Sequence, residues 1–69
     1  MAAASLTAAQ AAALVHAETA LRLRATRLRQ DACRLSADAR ELLEGAADVC
    51  EASATTIADM LGVPVPEEA

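Results

Sequence analysis

Residues 14–49 read LVHAETA LRLRATR LRQDACR LSADARE LLEGAAD V when divided every seven residues. Leu14, Leu21, Leu28, Leu35 and Leu42 each open a heptad, and Val49 continues the series. With these at position d of a heptad, position a holds Ala11, Glu18, Ala25, Ala32, Ala39 and Ala46. The alternative register would place Arg24, Asp31 and Asp38 on the apolar stripe, and is rejected. A sustained seven-residue apolar period is the signature of an α-helix that packs against other helices. The fold expected is therefore all-α: one long helix, or helix–break–helix near Gly45, associating as an antiparallel coiled coil or small helical bundle.

A Leu-plus-Ala seam resembles the Ala-coil type of antiparallel helix pair, in which small residues let two backbones approach and leucines fill the layers between. In a parallel dimer, alanine at position a leaves holes where β-branched residues normally sit. A parallel pair would also set Arg24 of one chain against Arg29 of the other. Charge along the chain agrees with the antiparallel choice. Residues 16–34 carry five Arg against Glu18 and Asp31, whereas residues 38–68 carry eight acids against Arg40. Folding one half onto the other brings opposite signs together. Exposed pairs contribute only about 0–1 kcal/mol each, so charge sets orientation more than stability.

Working outward, Thr7-Ala8-Ala9-Gln10 has the form of a capping box that starts the helix. No Gly or Pro occurs from Ala8 to Glu44. Gly45 is the first interruption, either capping a first helix or remaining inside a continuous one at a cost of about 1 kcal/mol relative to Ala. If Gly45 breaks the chain, Asp48 offers a new helix cap with Glu51 three residues on. Gly62, with Pro64 beyond it, stops the helix that reaches Leu61. The organisation expected is a flexible N-terminus at 1–6, a helical association domain at 7–62 and an extended, acidic, Pro-containing tail at 63–69.

The 69 residues make one domain at most, with no Phe, Trp or Tyr, nine Leu and twenty Ala. Alanine forms helix readily and buries little surface, so such a chain gains helices more easily than it gains a core. Small scaffolds of this kind normally need a staple, a metal or oligomerisation. Cys33 and Cys50 form no CxxC motif, and within one helix they would lie about 25 Å apart. A hairpin broken at Gly45 leaves a second arm of sixteen residues before Gly62, too short to cover Leu14 and Leu21. Both leucines then require another chain. The seam expected to associate is Leu14, Leu21, Ala25, Leu28, Ala32, Leu35, Ala39, Leu42 and Val49.

Chemistry finds little foothold. His16 is the only histidine and falls on the solvent side of the heptad. His16, Cys33 and Cys50 lack metal-ligand spacing, and no Ser-His-acid or Cys-His set can be assembled, so no catalytic residue, metal or cofactor is expected. The basic residues are all Arg. Spacing of four residues pairs Glu18 with Arg22, Arg27 with Asp31, Arg34 with Asp38 and Arg40 with Glu44. Arg24 and Arg29 have no such acid. Arg22, Leu23, Arg24 and Arg29 are therefore candidate contacts for an acidic partner. A formal net charge of −4 and the lack of aromatics disfavour nucleic acid. The apolar stretch Ala8–Ala17 is too short to span a bilayer and the N-terminus has no basic signal-peptide region, so the expected location is cytoplasmic.

Ile57-Ala58-Asp59-Met60-Leu61-Gly62-Val63 resembles the I-A-x-x-L-G-V run that closes the first helix and turn of many helix-turn-helix DNA-binding domains. That resemblance implies a recognition helix next, where Pro64-Val65-Pro66-Glu67-Glu68-Ala69 stands instead. The function expected is a non-enzymatic helical oligomerisation or adaptor protein, forming a homo-oligomer or binding a helical partner. The alternatives are a small module binding a transcription regulator or DNA, and a minor component of a larger bacterial or phage assembly.

Overall fold

The computed structural model describes residues 6–62 and is all-α, a hairpin of two helices packed antiparallel. Helix α1 spans Ala8–Ala32 and helix α2 spans Ala37–Leu61, each 25 residues long. The expected segments 1–6 and 63–69 lie almost wholly outside the described residues, which include Leu6 at the edge of the first. Among the described residues, no helix is long and apolar enough to cross a membrane.

The start of α1 follows from its sequence. The Gln10 amide donates to Thr7 Oγ1 at 3.0 Å, and the Thr7 amide donates to Gln10 Oε1 at 2.9 Å. Two amides that the helix cannot satisfy internally are thus paired reciprocally. The end of α2 is equally legible. Gly62 adopts φ 67°, ψ 23°, a left-handed cap that costs glycine little, and its amide donates to Asp59 O at 3.0 Å.

The break does not occur at Gly45. It occurs at Cys33–Ser36, where the Arg34 and Leu35 amides donate to Asp31 O and Ala32 O, both at 3.1 Å, three residues back. Ser36 is the N-cap of α2, with extended backbone, and Asp38 follows in the first turn, where a carboxylate faces the positive end of the helix dipole. Asp48, expected as a cap after a break at Gly45, is mid-helix. Arg40 reaches back across the turn: Nε lies 3.4 Å from Ala32 O and Nη2 lies 3.4 Å from Leu35 O. Its guanidinium adds donors at the Ala32 carbonyl, which ends α1 and also accepts from the Leu35 amide, and at the Leu35 carbonyl within the turn.

Gly45 sits inside α2, exposed, and a Cβ built there meets nothing within 4 Å. Glycine contributes only backbone entropy to lose at such a site. Gly45→Ala is expected to stabilise the hairpin by about 0.5–1 kcal/mol, seen as a raised thermal midpoint by circular dichroism. Were Gly45 a cap, the same change would destabilise.

Among the described residues four are fully buried, and all are alanine: Ala25 and Ala32 from α1, Ala47 and Ala54 from α2. They fall seven apart on each arm. On the same stripes stand the half-buried Leu14, Leu21 and Leu28 of α1, and Leu43, Cys50 and Ile57 of α2. This is the small-and-large alternation expected of the seam, realised within one chain. Among the described residues no large side chain is fully buried. The alanines permit close backbone approach, and the larger residues flank the contact line.

Candidate functional site: the uncovered face of the hairpin

The seven-residue series does not form one continuous seam. Leu14, Leu21, Ala25, Leu28 and Ala32 face α2, and Ala39 is half-buried at the start of α2. Leu35 lies in the turn, 39% exposed. Leu42 and Val49, at 75% and 66% exposed, point away from α1. Ala39 keeps its place, but from there on the residues of α2 that face α1 are each one position later: Leu43 in place of Leu42, Ala47 in place of Ala46, Cys50 in place of Val49. The cause is the turn. Helical phase carries no spatial meaning across a break, because α2 restarts from its own cap and rotates until its best stripe meets α1. The stripe Leu43, Ala47, Cys50, Ala54, Ile57, Leu61 has its own alternation of four and three residues, a signal present in the sequence but outranked by the leucines before it. Ile57, Ala58 and Leu61 of the helix-turn-helix-like run are half-buried on this inner side.

Helix geometry divides the hairpin into two broad faces. In an antiparallel pair, residues one position after the interface positions fall on the same side of both helices, and those one position before fall on the other. The first side is marked by Arg29. Its guanidinium donates through Nη2 to Asp48 Oδ1 at 2.7 Å and through Nη1 to Glu51 Oε2 at 2.8 Å. Hydrogen bonding to Glu51 leads the effects that raise the Arg29 pKa above its already high ordinary value, partly opposed by desolvation. Arg29 was expected to be free for a partner. It is instead engaged across the hairpin, by acids 19 and 22 residues away that a search at four residues cannot see.

Other expected contacts distribute differently. Arg22 bonds Glu18 at 3.0 Å, as its spacing predicts. Among the described residues, Arg27, Arg34 and Arg40 make no ion pair with Asp31, Asp38 or Glu44, and Arg24 makes none. Leu23 is half exposed on the outward side of α1. His16 is exposed, and Cys33 and Cys50 are free thiols on different parts of the hairpin, with Cys33 Sγ 3.4 Å from Arg29 O. Among the described residues no group of three or more His, Cys, Asp or Glu is placed to hold a metal ion.

The second broad face is of another character. From α1 it presents Ala13, Ala17, Ala20, Arg24, Arg27 and Asp31. From α2 it presents Leu42, Ala46, Val49, Ser53, Thr56 and Met60. Leu42, Val49 and Met60 are 75%, 66% and 61% exposed. Of the acidic residues, helix geometry places Asp31 of α1 and Asp38 of α2 on these two stripes, both near the turn. A shallow groove runs along the α1 half, lined by Ala20, Leu21, Leu23, Arg24, Arg27, Leu28 and Asp31. The chain matches no family model, no curated protein and no solved structure.

Proposed function

We propose that the chain is a non-enzymatic helical association module, and that its working surface is the face carrying Leu42, Val49 and Met60. The observation that supports this reading is the segregation of the two faces. One is closed by Arg29, Asp48 and Glu51 within the hairpin. The other leaves Leu42, Val49 and Met60 uncovered beside Ala13, Ala17 and Ala20 of α1, with Arg24, Arg27 and Asp31 toward the turn. Exposed aliphatics scattered singly are ordinary on proteins. Leu42, Val49 and Met60 instead recur at helical spacing along one stripe, which marks a contact surface. Burial is also what the hairpin lacks: its interior is four alanines and half-covered larger residues. A second layer of helix on this face would complete the core.

The experiment is a dilution series of the purified chain, followed by sedimentation and circular dichroism. The expected outcome is a helical assembly of at least two copies that loses helicity as it dissociates. A helical monomer at every concentration would overturn self-association. A poorly helical monomer would point to an unlike partner, the situation of a module that folds on a regulator.

A further inference from the structure

We infer that copies of the chain join edge to edge and head to tail: the outward side of α1 in one copy takes the outward side of α2 in the next, with all turns at one end. This rests on the self-association reading and names what meets Leu42 and Val49. It follows from the charges that the hairpin leaves over. Arg22 is held by Glu18, and Arg29 by Asp48 and Glu51. Arg40 is turned back on the carbonyls of Ala32 and Leu35. Among the described residues, Arg24, Arg27, Asp31 and Arg34 make no ion pair, and neither do Asp38, Glu41 and Glu44 at the start of α2. The first set is net positive even with Asp31 counted, and the second is wholly acidic. Both lie in the half of the hairpin next to the turn. With all turns at one end, α1 of one copy runs antiparallel to α2 of the next, and the arginines lie level with the acids. Turning one copy end for end sets the arginines beside Ala52, Ser53 and Thr56, and the acids beside Ala9, Ala12 and Ala13. Pairing α1 with α1 sets the arginines against one another, or against Ala13 and His16. The head-to-tail arrangement with turns together is the one that places each set beside its opposite, and complementary charge of this kind fixes register.

Shape agrees over the same stretch. Helix geometry puts Leu23 and Arg27 on the outward side of α1, with Arg24 on its open-face rim. It puts Asp38, Glu41, Gly45 and Val49 on the outward side of α2, with Leu42 on the matching rim. Gly45 leaves a dent between Leu42 and Val49, because a Cβ built there meets nothing within 4 Å. Leu23, half exposed, and the stem of Arg27 span the same height and pack over this dent as knobs over a hole. In return, Leu42 and Val49 come over the groove of α1, where Ala20, Leu21 and Leu28 have Arg24 and Arg27 beside them. An apolar groove with a cationic rim suits an apolar ridge flanked by carboxylates, which Asp38 and Glu41 supply beside Leu42. Asp31, also on the groove, stands four residues after Arg27 and three before Arg34, so its charge is offset within its own edge. Each contact spans about 37 Å by about 10 Å, so a copy covered on both edges buries about 700 Å², near the roughly 800 Å² per partner of a standard interface. Because the two edges differ, every added copy leaves one of each kind open, and the series passes beyond two copies.

Blocking one edge at a time tests the arrangement. Leu23→Asp with Arg27→Asp closes the α1 edge, and Leu42→Asp with Val49→Asp closes the α2 edge; all four residues are exposed. Aspartate within a helix can unfold a hairpin by itself. A second pair of variants, Arg24→Glu with Arg27→Glu and Glu41→Lys with Val49→Lys, therefore blocks the same edges with residues that favour helix. Sedimentation equilibrium is recorded for each variant alone, for equal mixtures within each pair and for the wild type. The expected result is the single-chain 7.1 kDa for each variant, at least twice that for the mixtures, and a wild-type mass that climbs past two chains with concentration. The mixtures associate because one variant keeps an intact α2 edge and the other an intact α1 edge. Single-chain mass in both mixtures, or wild-type mass in both α1-edge variants, overturns the head-to-tail contact and leaves self-association standing. So does a wild type that stops at two copies. A monomeric wild type overturns both.

Discussion

Ala47→Leu lowers the thermal midpoint of the hairpin by about 10–20 °C, although it makes the sequence more hydrophobic. Ala47 is fully buried on the inner stripe of α2, against α1. A leucine there adds three heavy atoms to a space that holds a methyl group. Inserting such volume into a packed interior costs about 1–3 kcal/mol. Here relief requires separating the helices, which loosens the neighbouring layers at Ala25 and Ala54 as well. For a domain of this size each kcal/mol moves the midpoint by about 4–8 °C. The control is Ala52→Leu, the same substitution at an exposed position of α2. It changes the midpoint by no more than the small helix-propensity difference between the two residues. Thermal melts monitored by circular dichroism at equal concentration compare the three proteins. If Ala47→Leu raised the midpoint, the interface would be loosely filled and the close-approach account would be wrong.

Leu28→Asp abolishes most of the helicity, and Leu35→Asp does not. The two leucines are consecutive members of one seven-residue series, so a single continuous seam would make them equivalent. Leu28 is half-buried beside the contact line, between the levels of Ala25 and Ala32. Replacing it removes about 1–2 kcal/mol of apolar burial and draws a carboxylate toward an interface that offers no dedicated partner. Arg24, four residues before, returns only about 0.3–0.5 kcal/mol as an exposed pair. A net loss of about 2–4 kcal/mol is decisive for a small, aromatic-free chain at the low end of the roughly 0.05–0.15 kcal/mol per residue that domains hold. Leu35 lies in the turn and is 39% exposed, so its replacement costs about 1 kcal/mol or less. Far-ultraviolet circular dichroism separates the outcomes, and equal losses for both variants would restore the continuous seam.

The contrast between Leu28 and Leu35 also shows where the fold was legible in the amino-acid sequence. Helical class, the capping box at Thr7 and Gln10, the stop at Gly62 and the inward stripe of α1 all follow from local rules that the structure obeys. The turn at Cys33–Ser36 was not legible because it contains no Gly or Pro. Its signal was Ser36 followed by Asp38, a cap and an acidic first turn, and it was masked by a leucine period that runs unbroken through the turn. Gly45 attracted attention instead because glycine disfavours helix interiors, yet packing on both sides of it outweighs about 1 kcal/mol of propensity.

The displaced turn changes the consequence as well as the topology. A second arm of 25 residues reaches Leu14 and Leu21, which a sixteen-residue arm could not. The surface that the proposed association would cover is therefore that of Leu42, Val49 and Met60 of α2, and not Leu14 and Leu21 of α1. The candidate contacts were legible in part. Arg24 remains without an ion pair among the described residues. Arg29 was assigned outward because its partners become neighbours only through the turn. The role of Arg40 on the carbonyls of Ala32 and Leu35 has the same origin.

The most direct measurement is the sedimentation-equilibrium mass of the wild-type chain beside the Leu42→Asp, Val49→Asp double variant, at a concentration where the wild type is helical. Two charges on the open face leave the four buried alanines and the inward leucines untouched. The account predicts a wild-type mass at least twice the 7.1 kDa of one chain, and the single-chain mass for the variant. The same mass for both proteins, whether assembled or monomeric, would contradict it.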